Sequence, residues 1–354
     1  MIRVAISVEQ NWNAVPGGTA RSTNRLIDAL VNHTSIELVG FAGTHRDVPT
    51  LDLPAGLTVT EIPVPGRLLN QQWNWLRWPR IDRWVAADVL HAPAYSLPPT
   101  EVASVVTIHD LAFVDHPEWF TKHGVRFFER FLAQVRALRP LVIAPSNSTA
   151  EACVGVGIDE SDVVVIPWGV GASTTTEQQV VDVRRRFALP EHFVLFVGTR
   201  EPRKNLATLV AATTRLDVPL VIVGPEGWGE VDTGAAIVLG ELGSAELAGV
   251  MAAATVLAYP SHLEGFGLPV LEAMAEGTPV VVTEGTAPDE VAGDGGLAVR
   301  TDRPEPLAEA LQSILTSETL QRELGDAGRS RTAAFTWRRT AEQTADVYAR
   351  AAAR

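Results

Sequence analysis

FVLFVG (193–198), KNLATLVAATTRL (204–216) and PLVIVG (219–224) follow one another as a short apolar run, a helical pattern and a second apolar run. Each apolar run is too short for a buried helix and rich in β-branched residues, so both read as strands. Their apolar character is continuous, as expected of strands covered on both faces, and the helix between them gives a parallel βαβ unit. The pattern spreads outward from there. Toward the C-terminus come AAIVLG (235–240), SAELAGVMAAA (244–254), TVLAYP (255–260), TPVVVT (278–283) and PEPLAEALQSILTS (304–317). Toward the N-terminus lie RVAISV (3–8), TARSTNRLIDALVNH (19–33), IELVGFA (36–42), LTVTEI (57–62), DVLHA (88–92), ASVVTIHD (103–110) and PLVIAPS (140–146). Two such series predict an α/β protein of two doubly wound, Rossmann-like domains, residues 1–170 and 180–335. The stretch PWGVGASTTTEQQ (167–179) loses the apolar pattern and marks the boundary. The last segment, TWRRTAEQTADVYARAAAR (336–354), is a helix with no strand after it, free to pack back on the first domain.

The 354 residues are ample for two domains, and 46% apolar content lets both bury a core. A formal net charge of −13 excludes a general nucleic-acid binder, because nothing neutralises a row of phosphates. It does not exclude one small anionic ligand, which a few cations and backbone N–H groups can hold. The single cysteine, Cys153, sits in an apolar stretch and reads as a core residue. MIRVAISVEQ enters a strand directly, without the pattern of a signal peptide, and no run nears the ~18 apolar residues that span a bilayer. These features predict a soluble cytoplasmic protein.

Open parallel sheets bind ligands outside the carboxyl ends of their strands, so the loops there carry the chemistry. HLEGFGLPVLEAMAEGTPVV (262–281) places Glu264 in such a loop, then Gly265, Phe266 and Gly267, then a helix bearing Glu272. The glycines allow a tight turn that brings N–H groups toward a ligand at the helix N-terminus. Two carboxylates flanking that turn suit bidentate hydrogen bonds to vicinal sugar hydroxyls. Equally open on spacing alone is a helix-capping Glu264 with Glu272 as a solvated surface charge. His109-Asp110 ends the strand ASVVTIH, a position fit for a ligand, although a lone histidine is more often structural. The other histidines lack metal-ligand spacing, and no metal site is predicted.

With its GFG-LP centre, the Glu264-x7-Glu272 pattern resembles retaining glycosyltransferases of family 4, which have the GT-B fold. PGGTARS (16–22), TIHDLAFVDHPEWF (107–120), APSNSTAE (144–151), VIPWGV (165–170), VGTREPRKNLATLV (197–210) and VGPEG (223–227) agree with that family in order, over nearly the whole chain. The resemblance implies two domains facing a central cleft, the second binding the nucleotide-sugar donor and the first the acceptor. It implies that Glu272 holds the ribose hydroxyls. Glu264, helped by the N–H groups of Gly265, Phe266 and Gly267, would approach the transferred sugar. Lys204 and an arginine would stabilise the departing diphosphate, where cations count most. Many relatives have that arginine directly after the glycine, where this chain has Thr199, so Arg200 and Arg203 both remain open. Gly17 and Gly18 would let the backbone touch the donor phosphate, and His109, oriented by Asp110, would face the donor sugar.

Asp-x-Asp, the motif that holds Mg²⁺ or Mn²⁺ in the other common transferase fold, is absent. The resemblance therefore implies metal-independent turnover without a cofactor, by substitution on one face of the sugar. GTREPRKNL and HDLAFVDHPEWF are most similar to a mannosyltransferase-like branch that favours GDP-mannose; UDP-sugars and dTDP-rhamnose stay open. For the acceptor, a glycan, lipid-linked or small molecule, NQQWNWLRWP (70–79) offers Trp73, Trp75 and Trp78, which could equally pack under a loop. KHGVRFFERFLAQVRALRP (122–140) reads as a basic amphipathic helix suited to peripheral membrane contact, at the inner face. The dinucleotide GxGxxG fingerprint and the P-loop are both missing, which argues against a nicotinamide oxidoreductase. A non-catalytic two-lobed sugar-binding protein would need no diphosphate cations. An epimerase or a phosphorylase of the same fold also stays open.

Overall fold

A computed structural model of the chain describes residues 1–13, 17–31, 33–227 and 231–354. It divides into two compact units, Met1–Gly169 with Trp337–Arg354, and Val170–Thr336.

The first unit holds a seven-stranded sheet of β1 (Ile2–Ser7), β2 (Ile36–Thr44), β3 (Thr58–Pro65), β4 (Val89–Ala92), β5 (Ala103–Thr107), β6 (Leu141–Ala144) and β7 (Val163–Val165). The spatial order is β3-β2-β1-β4-β5-β6-β7, and every pairing is parallel. The second unit holds β8 (Val194–Val197), β9 (Leu220–Val223), β10 (Ile237–Gly240), β11 (Val256–Tyr259), β12 (Val280–Thr283) and β13 (Gly296–Val299), in the parallel order β10-β9-β8-β11-β12-β13. The central strands β4, β6, β8, β9 and β11 are buried along their whole length, which is why they carry no polar alternation. In each sheet the order reverses beside its first strand, between β1 and β4 and between β8 and β11. At such a switch point neighbouring loops part and leave a crevice at the carboxyl edge.

Three details correct the sequence reading. β7 and β13 were not expected. β5 stops at Thr107, so His109 and Asp110 stand in the loop beyond it. Ile108 still donates to Ile143 O at 3.0 Å, after which Asp110 turns the chain by accepting from Ala112 N at 3.1 Å. The helix Lys122–Leu138 does not offer its apolar face to the outside: Phe131, Leu132 and Val135 are buried in the first unit's core.

The terminal helix Trp337–Ala352 packs on the first unit's sheet. Its Tyr348, fully buried, meets His91 of β4 at 2.7 Å, and the other nitrogen of that ring lies 2.9 Å from Thr107 Oγ1. Burial holds the His91 imidazole far down, at about 3, so it stays neutral.

Candidate active site

The switch point of the second sheet sets the geometry there. Residues 198–205 leave the end of β8 and residues 260–267 leave the end of β11, next to each other. Glu264 receives Lys204 Nζ at 2.5 Å on one carboxylate oxygen and Arg203 Nη1 at 2.9 Å on the other. All three side chains are largely buried. Burial alone would raise the Glu264 carboxyl, but Arg203 and Lys204 outweigh it and hold the group at about 2, ionised. Lys204 also donates to Tyr259 Oη at 3.1 Å, and burial pushes that phenol well above its usual range.

The two candidate arginines differ sharply. Arg203 gives Nε and Nη2 to Glu201 Oε1, at 3.2 and 2.7 Å, and Nη1 to Leu263 O at 3.0 Å besides Glu264. Its fork is taken up by the protein, and Glu201, 2% exposed, depends on it. Among the described residues, Arg200 comes no nearer to an acid than 4.0 Å, to the exposed Glu226, and its buried Nε has no hydrogen-bond partner. Its backbone runs beside the loop after β9, donating to Pro225 O at 3.3 Å. Gly224 makes that approach possible: at φ +141° it has no Cβ, which would stand 2.1 Å from Gly198 O.

The helix Leu268–Glu276 starts at this edge. Gly267, at φ +114°, precedes it and accepts from Val270 N and Leu271 N. Phe266 turns its ring inward, 6.2 Å from that of Phe335, so its backbone alone is available to a ligand. Glu272, half-buried, is the fifth residue of the helix.

In the first unit, His109 is half-buried and its Nε2 lies 2.8 Å from Pro93 O. A carbonyl only accepts, so Nε2 carries the proton and Nδ1 keeps its lone pair. Burial lowers the imidazole, with the Pro93 bond and Asp110 opposing, and Trp168 lies against it at 5.7 Å. Asp110 is fixed by Tyr95, whose hydroxyl donates to the Asp110 carbonyl at 2.6 Å. Gly17 and Gly18 open the helix Gly17–Leu30, both exposed and, among the described residues, with no atom within 4 Å of where a Cβ would stand; Gly17 has φ +61°. The preceding Val15 and Pro16 of that motif lie outside the described residues.

Two family descriptions match the chain, "Glycosyltransferase Family 4" over residues 16–173 and "Glycosyl transferases group 1" over residues 181–331. The O-antigen chain mannosyltransferase B of Escherichia coli is 30% identical over 296 residues, covering 76% of this chain and 77% of that one. The chain belongs to glycosyltransferase family 4. A D-inositol 3-phosphate glycosyltransferase of Nocardioides sp. is 34% identical over 255 residues, 62% of this chain and 56% of that one. Among solved structures, sucrose-phosphate synthase from Thermosynechococcus elongatus superposes with a TM-score of 0.76 at 23% identity over 99% of both chains, a likeness of fold.

The motifs of this glycosyltransferase thus gather Lys204, Arg203 and Glu264 into one cluster, with Arg200 earlier in the same loop as Lys204 and Glu272 on the helix that follows Glu264. His109 and Asp110 belong to the other unit, as do Gly17 and Gly18. Sequence reading missed Tyr259 and Glu201. Tyr259 ends a strand otherwise apolar, and Glu201 is the acid between two candidate arginines; each was the polar residue out of pattern. Among the described residues, no group of three or more His, Cys, Asp or Glu is arranged to hold a metal ion, and no helix is long and apolar enough to cross a membrane.

Proposed function

We propose that this glycosyltransferase moves a hexose, mannose from GDP-mannose before a UDP-sugar or dTDP-rhamnose, to a glycan, lipid-linked or small-molecule acceptor, with retention and without a metal. The observation that carries this reading is the pairing of Lys204 and Arg203 with Glu264 at the β8/β11 switch point, in the loop that leads into the helix bearing Glu272, with Arg200 in the same loop as Lys204. A helix N-terminus and two cations supply the countercharge that a diphosphate needs. In this reading Arg200, with donors not yet used, takes the diphosphate beside Lys204. Arg203 is a positioning residue that holds Glu264 in place. Glu272 takes the ribose hydroxyls, and Glu264 with the backbone of Gly265–Gly267 takes those of the sugar. His109 accepts a donor-sugar hydroxyl at Nδ1.

The reaction breaks the bond from the anomeric carbon to the diphosphate oxygen and forms one to the acceptor oxygen on the same face. The acceptor proton passes to the departing diphosphate. Glu264, ionised and bound to two cations, suits hydroxyl binding better than attack on the anomeric carbon. Mannose is favoured by the GTREPRKNL motif and by the mannosyltransferase relative.

A thermal-shift screen of GDP, UDP, dTDP and ADP with their sugars tests the donor, since a ligand bound by the folded state alone raises its melting temperature. GDP-mannose is expected to give the largest shift, lost in Lys204→Ala and in Glu272→Ala. If no nucleotide sugar moves the transition, the donor reading is wrong. NMR of the product anomer then decides retention: an inverted linkage would overturn the same-face step.

A further inference from the structure

Tyr259 closes β11 and is 2% exposed, in a strand otherwise made of valine, leucine and alanine. Its ring lies along that of Phe196 in the neighbouring β8, centres 6.3 Å apart and planes 18° from parallel. The phenol is thus packed as an apolar side chain would be, and its hydroxyl is the part that enters the charged cluster. Lys204 Nζ donates to that hydroxyl at 3.1 Å and stands 5.2 Å from the ring centre. An ammonium only donates, so Oη is the acceptor and directs its own proton to another group. Burial first, and then Glu264 by its charge and a hydrogen bond, push the phenol well above its usual range, so that proton stays.

The charges around it account for a phenol at this position. Glu201, Arg203, Lys204 and Glu264 are two acids and two cations, joined by the pairs Arg203–Glu201, Arg203–Glu264 and Lys204–Glu264. Their charges cancel. Lys204 has three N–H donors, and among the described residues two of them have partners, Glu264 and Tyr259. A third carboxylate in place of the phenol would also fix the ammonium, but it would make the cluster repel an incoming diphosphate. A neutral acceptor orients the ammonium without adding negative charge.

We propose that Tyr259 is a positioning residue of the donor site: its hydroxyl bridges Lys204 and Glu264 and aims the remaining Lys204 N–H at the diphosphate. This rests on the reading that Lys204 meets that diphosphate. Removing the hydroxyl takes away an acceptor that favours the charged lysine. Burial already lowers Lys204, with Glu264 opposing, so without the hydroxyl Lys204 gives up its proton at a lower pH than in the parent.

Calorimetric titration of the full chain with GDP, UDP, dTDP and ADP, continued with the tightest of the four, tests the proposal. Tyr259→Phe keeps the ring beside Phe196 and is expected to bind that nucleotide about tenfold more weakly, with a melting temperature close to the parent's. The gap is expected to widen between about pH 7 and 9, as the variant's lysine loses its charge first. Parent-like affinity across that range would overturn the proposal and leave the donor reading standing. A loss of equal size at every pH, or a variant that melts far below the parent, would overturn it too, since either makes the hydroxyl a packing group. If Lys204→Met binds the nucleotide as tightly as the parent, or the parent binds none of the four, the donor reading fails and the role of Tyr259 falls with it.

Discussion

Arg200 and Arg203 are three residues apart in one loop, yet their surroundings differ, and the proposed function gives them different tasks. Removing the Arg203 side chain strips the countercharge from Glu201, which is almost fully buried, so Arg203→Ala is expected to cost about 3 kcal/mol of stability. Arg200→Ala should leave the denaturation midpoint within about 0.5 kcal/mol of the parent while raising the donor KM about tenfold or more. Urea unfolding together with donor kinetics separates the two; the reverse pattern would exchange their roles. Lys204, Glu264 and Glu272 can be named as site candidates from sequence because their family motif fixes their order. The choice between the arginines was not legible. It depends on which donors the fold has already used, and Glu201, Leu263 O and Glu264 come from two separate loops.

At the scale of elements, the loops after β8 and β9 touch through Gly198 and Gly224. A methyl group at 224 would collide with Gly198 O, so Gly224→Ala is expected to cost about 1–3 kcal/mol and to weaken donor binding by shifting Arg200. Calorimetric melting and donor titration would show both effects; loss of stability with unchanged donor affinity would mean that Arg200 has no part in binding. The terminal helix gives a second expectation. His91 binds its proton in the folded state only near pH 3, whereas in the unfolded chain it does so near 6.5. Between those values the unfolded state holds the extra proton, so stability falls as pH drops, by about 1.4 kcal/mol per unit at most. Urea denaturation between pH 6.5 and 5, above the range of ordinary carboxylates, should show that slope in the parent and a shallower one in His91→Gln. An equal slope in both would place the acid sensitivity elsewhere. The central strands were readable because burial on both faces leaves uninterrupted apolar runs. β7, only three residues long, and β13, starting at a glycine, give too little pattern to register. The His91–Tyr348 contact joins residues 257 apart, beyond the reach of any local pattern.

For the molecule as a whole, two parallel sheets followed from the alternation of strand and helix, and the loss of pattern over 167–179 brackets the division at Gly169. Which sheet the last helix covers was open in sequence, since amphipathic spacing says that a face is buried but not against what. Nor does aromatic spacing tell an anchored indole from an exposed one: Trp73 is buried and Trp75 is not. Turnover is expected to be unchanged by EDTA, since in the proposed site Lys204, Arg200 and helix N–H groups supply the positive charge; activity lost to chelator and restored by Mg²⁺ or Mn²⁺ would contradict this. The most direct test of the central claim is a crystal structure of the full chain with GDP-mannose bound. The expected result has the diphosphate within hydrogen-bond reach of Lys204 and Arg200, and the ribose hydroxyls on Glu272. A nucleotide sugar bound elsewhere, or bound here with Lys204 and Glu272 turned away from it, would contradict the account.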